Sequence, residues 1–117
     1  MNQNDILKKI VKTLDTKKAE DVEVIGIKDL TIIADYFVIA TGTSTTHTKS
    51  LADEVEFQLK EAGVVPTRTE GYNGSNWILL DYSDIVVHIF YKETREYYSL
   101  ERLWSDGEKI DIEQFLD

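Results

Sequence analysis

The sequence predicts an α/β sandwich built on a mixed, five-stranded sheet packed by helices, and three observations lead there. Apolar residues in 4–18 recur at helical spacing, so one side of that segment must be buried. Segments 35–41 and 85–91 are apolar on both strand faces, as strands covered from two sides are. Helix and strand signals also run in the order helix, strand, strand, helix, strand, hairpin, helix, which favours helices layered on one sheet.

In the first helix, Ile6, Leu7, Ile10, Val11 and Leu14 share a side and the lysines take the other. Residues 22–27 read as a strand, since Val22 and Val24 alternate with acids before Ile25 and Ile27 break the rhythm. The run Asp35-Tyr36-Phe37-Val38-Ile39-Ala40-Thr41 is rich in β-branched and aromatic residues and belongs inside the sheet. A second helix, 44–62, carries Thr48, Leu51, Val55, Leu59 and Ala62 on one stripe, with a hydroxyl of Thr43 or Ser44 as N-cap and Gly63 beyond its end. Phe57 falls well off that stripe and is expected to be exposed or in a contact.

Pro66 opens an edge-like segment through Thr69, and 72–76 is turn chemistry. Strands 77–81 and 85–91 are joined by Asp81-Tyr82-Ser83-Asp84, a connection short enough to make them an antiparallel hairpin. A short helix over 93–104 puts Tyr97 and Leu100 on one face and turns Tyr98 away. Residues 110–116 add a final turn or an extended tail.

The chain has 117 residues, enough for one domain with a genuine core, and its single proline and 42% hydrophobic content are those of a folded protein. Without cysteine it has no thiolate catalysis, zinc knuckle, iron–sulfur ligation or disulfide framework. No basic leader precedes an apolar run and no apolar stretch is long enough to span a membrane, so the expected location is the cytoplasm. A net charge of -9 opposes wrapping a phosphate backbone and favours a basic partner. The charge is uneven: residues 1–18 hold five lysines against two aspartates, a local +3, whereas 93–117 hold eight acids against three bases, a local -5.

The turn Ala40-Thr41-Gly42-Thr43-Ser44 offers amides and hydroxyls at a helix N-terminus, where anions are stabilised, but no P-loop lysine follows. A metal-dependent nucleotidyltransferase needs two acids converging from one strand face; here Asp81 and Asp84 flank a turn, and Asp53 and Glu54 point to different sides of a helix. His47 and His88 stand alone: His47, one turn into the second helix, reads as a cap-side surface residue, and His88 has no Ser or Cys nucleophile beside it in sequence. Aromatics are more informative: Trp77, Tyr82, Tyr91, Tyr97, Tyr98 and Trp104 crowd the last third among Asp81, Asp84, Glu93, Glu96 and Glu101. That composition suits either a small core or an interface with a basic partner.

Asp35-Tyr36-Phe37-Val38-Ile39-Ala40-Thr41-Gly42-Thr43-Ser44, His47, Ser50-Leu51-Ala52-Asp53, Glu70-Gly71, Trp77-Ile78-Leu79-Leu80-Asp81, Asp84-Ile85-Val86-Val87-His88 and Tyr98-x-Leu100-Glu101-x-Leu103-Trp104 occur in that order. Together they resemble the ribosomal silencing factor family, also called the Iojap family. The likeness runs from the first helix to Trp104, which divides the chain into a family domain, 1–104, and an acidic extension, 105–117.

The resemblance implies a translational repressor with no enzymatic step and no cofactor, on a nucleotidyltransferase-like fold. Its expected partner is large-subunit ribosomal protein number fourteen, whose occupation prevents the two ribosomal subunits from joining, notably when nutrients are scarce. Little direct contact with nucleic acid and none with membrane is expected, and the exposed Phe57 is compatible with a homodimer of the free protein. Carried over by position, the partner-binding residues are Trp77, Asp81, Asp84, His88, Tyr98, Glu101 and Leu103. Trp77 and Tyr98 supply desolvated area, Asp81, Asp84 and Glu101 pair with Lys or Arg, and His88 supports its strand. Two other readings stand beside this one: a degenerate nucleotide-binding protein using Gly42 to Ser44, and a homodimeric module for another basic client.

Overall fold

Two kinds of apolar pattern, one-sided in the first two helices and two-sided in the central strands, resolve into three layers in a computed structural model that describes residues 2–116. The long helices are α1 (Gln3–Thr16) and α2 (Thr45–Glu61). The strands are β1 (Glu20–Gly26), β2 (Tyr36–Gly42), β3 (Arg68–Glu70), β4 (Trp77–Asp81), β5 (Ile85–Tyr91) and β6 (Glu108–Ile110). They form one sheet in the order β3-β4-β5-β2-β1-β6, parallel only between β2 and β5.

Asn2 caps α1 by accepting the Asp5 amide, and Ser44 caps α2 by accepting that of His47, so both helices begin at a side-chain oxygen that satisfies an orphan N–H. Their apolar stripes cover the first face of the sheet. Ile10, Val11 and Leu14 of α1 and Leu51, Val55 and Leu59 of α2 bury Val38, Ala40, Ile78, Leu80, Val87 and Ile89. Gly42 is required where β2 turns towards α2, because a Cβ there would lie 2.5 Å from Thr48 Oγ1. Phe57 is exposed on α2, as its angular position predicts.

The sheet has six strands where five were expected. The additional strand, β6, lies beyond Trp104 and pairs Val24, Ile25 and Gly26 with Ile110, Lys109 and Glu108. Three residues with one aliphatic side chain show no alternation, so propensity cannot announce such a strand. A close approach makes it: a Cβ on Gly107 would lie 2.6 Å from Ile25 Cγ2 and 2.8 Å from the Gly26 carbonyl oxygen. A 3-10 helix, Ile112–Phe115, then buries Phe115 in the cluster that contains the α1 stripe.

The segment expected as one helix over 93–104 is two: α3 (Lys92–Tyr98) and α4 (Leu100–Leu103). Ser99 separates them in the left-handed region, φ 47° and ψ 52°, with its amide donating to the Arg95 carbonyl and its hydroxyl to that of Glu96. A non-glycine residue in that region costs about 1–2 kcal/mol, and nothing in the local sequence announces it. The break drops Leu100 onto the second face of the sheet and frees Tyr98 to lie against Trp77.

Candidate partner-binding face

Strand register decides which side chains share the second face. Trp77, Phe90 and Thr41 form one row across β4, β5 and β2; Leu79, His88, Ile39 and Glu23 form the next, reaching β1; Asp81, Val86, Phe37 and Ile25 form the third. Among the described residues the helices that cover this face are α3 and α4. They bury its centre, where Leu100 joins Ile25, Phe37, Ile39 and Phe90, and leave Trp77, Leu79 and Asp81 of β4 partly open.

Arg95 clamps the covering helices in place. Only 8% exposed, it donates through Nη1 to the Asp21 carbonyl at 2.5 Å and to Thr41 Oγ1 at 2.8 Å, and through Nη2 to Glu23 Oε2 at 2.8 Å. Its Nε lies 3.5 Å from Glu101 Oε2. Glu23 also binds Lys109 of β6 at 2.9 Å, which raises the lysine pKa. The Asp21 carbonyl is available because the β1–β2 pairing is irregular between Glu20 and Glu23, with Asp21 at φ 46°. A planar, five-donor guanidinium suits such a junction, where a buried charge must meet several oxygens at once.

At the open end, Trp77 packs against both Phe90 and Tyr98, with ring centroids 4.8 Å away in each case. Its indole Nε1 donates to His88 Nδ1 at 3.1 Å. Indole is a donor only, so Nδ1 must accept and the neutral imidazole carries its proton on Nε2, which is buried without a hydrogen-bond partner. Desolvation lowers the His88 pKa to about 4. Beside this group, Asn76, Trp77, Glu93, Thr94, Tyr97 and Tyr98 line a shallow hollow of about 340 Å³, with an acid next to three rings.

The seven sequence-expected residues separate accordingly. Trp77, Tyr98 (53% exposed) and Leu103 (74% exposed) present apolar surface. Asp84 is exposed, while Asp81 is half-buried, accepting from the Ser83 amide at 2.8 Å and lying 3.6 Å from Arg68 Nη2. His88, 4% exposed, holds Trp77 and presents no surface of its own. Glu101 is half-buried against Arg95.

Sequence reasoning missed Arg95, because an arginine on a short, charged helix looks like any solvated one. It also passed over the loop between β1 and β2, where Leu30, Ile32 and Ile33 are exposed. Three aliphatic residues in four, outside any periodic element, were the available signal.

The glycine-hydroxyl turn before α2 is already occupied. The Thr43 amide donates to His47 Nδ1 at 2.9 Å, and His47 Nε2 therefore donates to the Lys17 carbonyl at 2.8 Å. Asp53 accepts from the Tyr72 hydroxyl, and Glu54, its pKa lowered first by the Gln58 hydrogen bond, is also 3.5 Å from Lys17. Among the described residues no three His, Asp or Glu side chains converge, and no helix is long and apolar enough to cross a membrane.

Fold and face together define a single-domain α/β protein whose sheet is sealed by two long helices on one side and half-covered on the other. A family model described as "Ribosomal silencing factor during starvation" matches residues 1–117, and the chain belongs to that family. It is 38% identical over 113 residues to "Ribosomal silencing factor RsfS" of Bacillus subtilis, covering 97% of this chain and 96% of that protein. A mouse relative, "Mitochondrial assembly of ribosomal large subunit protein 1", is 33% identical over 99 residues, which are 82% of this chain and 43% of the mouse protein. The X-ray structure of a Chromobacterium violaceum protein superposes with a TM-score of 0.87 at 35% identity, covering 95% of this chain and 92% of that one.

Proposed function

We propose that this chain binds the large ribosomal subunit through ribosomal protein number fourteen and, by occupying that surface, keeps the small subunit from joining, so repressing translation in the cytoplasm. The mechanism is steric: affinity and position suffice, with no chemical step and no cofactor. One observation carries the reading, the half-covered second face, where Trp77, Leu79 and Tyr98 offer apolar area with Glu93 beside the rings and Asp81 and Asp84 at the far end of β4. Aromatics framed by acids favour a basic protein partner, and a chain of net charge -9 is repelled by bare RNA. The mouse relative's name, which concerns assembly of the ribosomal large subunit, supports the choice of subunit.

The occupied turn at Gly42 to Ser44 weighs against a nucleotide-dependent role, because the amide such a ligand needs already donates to His47. Likeness to nucleotidyltransferases is therefore, in this reading, a matter of fold without their chemistry. Adding purified protein to the two ribosomal subunits and resolving them on a sucrose gradient tests the proposal. The expected result is co-sedimentation with large subunits and loss of joined ribosomes; undiminished joining at saturating protein removes it.

A further inference from the structure

Ile32 is 103% exposed, as open as in an extended peptide, and Leu30 and Ile33 beside it are also exposed. Isolated apolar side chains on a surface need no explanation, but three within four residues form a patch. Nor is this loop a loose strand of chain. The Leu30 and Thr31 amides both donate to the Ile27 carbonyl, at 2.9 and 3.1 Å, and the Ile33 amide donates to Thr31 Oγ1 at 3.3 Å. Ile27 and Ala34, at its two ends, are buried in the cluster beneath the second face. The side chains of Ile32 and Ile33 are therefore held outward by an ordered backbone, so docking them needs little further ordering.

Position ties the loop to the candidate face. The Asp35 and Tyr36 amides both donate to the Asp84 carbonyl, at 2.7 and 3.1 Å, which fastens the loop's end to the β4–β5 turn that carries Asp81 and Asp84. Leu100 and Trp104 lie in the same buried cluster as Ala34, and α4 carries the exposed Leu103. Charge completes the picture: Asp29 and Asp35 flank the aliphatic residues in sequence, with Lys28 the one base in 28–35, and the exposed Asp84 is tied to the loop's end through its carbonyl.

We infer that the β1–β2 loop is a second foot of the partner interface, in which Ile32 and Ile33, on an acidic loop fastened to the turn that carries Asp84, insert into an apolar depression on a basic protein. The inference rests on the proposed ribosomal reading and names that same basic ribosomal protein as the occupant. It differs from the Trp77–Tyr98 contact in location and in chemistry, being aliphatic and preformed. The two feet lie at opposite ends of β4 and β5, so they clamp the partner along the strand direction and resist its rotation.

The test is the full-length Ile32→Ser/Ile33→Ser variant, sedimented with purified large subunits at low and high salt alongside the unaltered protein. Both residues are exposed, so the melting temperature is expected to stay unchanged. Binding is expected to weaken at least about tenfold. The loss should persist at high salt, because apolar insertion, unlike an exposed ion pair, is not screened. If the unaltered protein binds and the folded variant binds equally well, the loop inference falls and the ribosomal reading stands. If the unaltered protein itself fails to bind, both fall. If the variant loses only self-association in analytical ultracentrifugation and keeps full ribosome binding, the loop contacts a second copy and the inference is overturned.

Discussion

Trp77 Nε1 and His88 Nδ1 lie 3.1 Å apart, and because the indole can only donate, this bond fixes the tautomer of a buried histidine. The pairing runs between neighbouring strands, β4 and β5, and orients the ring that forms the rim of the open face. A partly exposed tryptophan is thereby held in one rotamer by a residue that no partner can reach.

Stability is predicted to fall with pH because of this histidine. Its folded pKa of about 4 lies below the ordinary 6.5, so between those values the unfolded chain takes up a proton that the native state refuses. Stability is whole above pH 6.5 and declines as pH falls towards 4. The expected difference between pH 7 and pH 5 is about 2 kcal/mol, using about 1.4 kcal/mol per pKa unit. Urea unfolding of wild type and His88→Leu at both pH values checks it; an equally steep decline in the variant refutes the assignment.

Replacing Arg95 should loosen α3 and α4 together. Arg95→Ala leaves Glu23 and Glu101 without their shared guanidinium and the Asp21 carbonyl without its donor, and is expected to cost about 3 kcal/mol. Arg95→Lys recovers only part, since one ammonium cannot serve oxygens spread over four residues. Urea midpoints read the loss. Red-shifted tryptophan emission is expected as well, because Trp104, 5.4 Å from Phe37 by ring centroids, loses its cover.

Tyr98→Ala separates binding from folding. Tyr98 is more than half exposed and packs against the rim residue Trp77, so the fold should lose less than about 1 kcal/mol. Large-subunit affinity should drop by about 2 kcal/mol if this ring is a binding hot spot. The pair of measurements is calorimetric melting and sedimentation with large subunits, and unchanged affinity removes Tyr98 from the interface.

Gly71 should tolerate no side chain. It sits at φ 78°, and a Cβ there would overlap the Trp77 carbonyl oxygen. Gly71→Ala is expected to destabilise by at least about 2 kcal/mol through combined backbone strain and overlap. Gly63→Ala, which has a similar φ of 85° but open space around the added carbon, should cost less. Equal thermal shifts in the two variants would show that the overlap is relieved by movement of β4.

Much of the architecture was legible in the residue pattern because burial has a period. The stripes of α1 and α2, the doubly apolar β2 and β5 and the short hairpin connection each report which sides are covered, and all appear as expected. The family blocks were legible for a similar reason, being runs of specific residues at fixed spacing. What carried no such signal was anything set by a single close approach or a single strained dihedral: β6 beside Gly107, and the break at Ser99 that makes two helices of one.

The sequence by itself therefore determined the layers, the family and the acidic, ring-rich character of the last third. Only the tertiary structure decided which of those residues face outward, because exposure depends on register across strands distant in the chain and on where two short helices happen to stop. That is why His88 and Trp77, similar candidates in one dimension, part company: one is sealed beneath the face and the other is its rim. It is also why Arg95, an ordinary charge in the sequence, proves to be the residue that holds the face together.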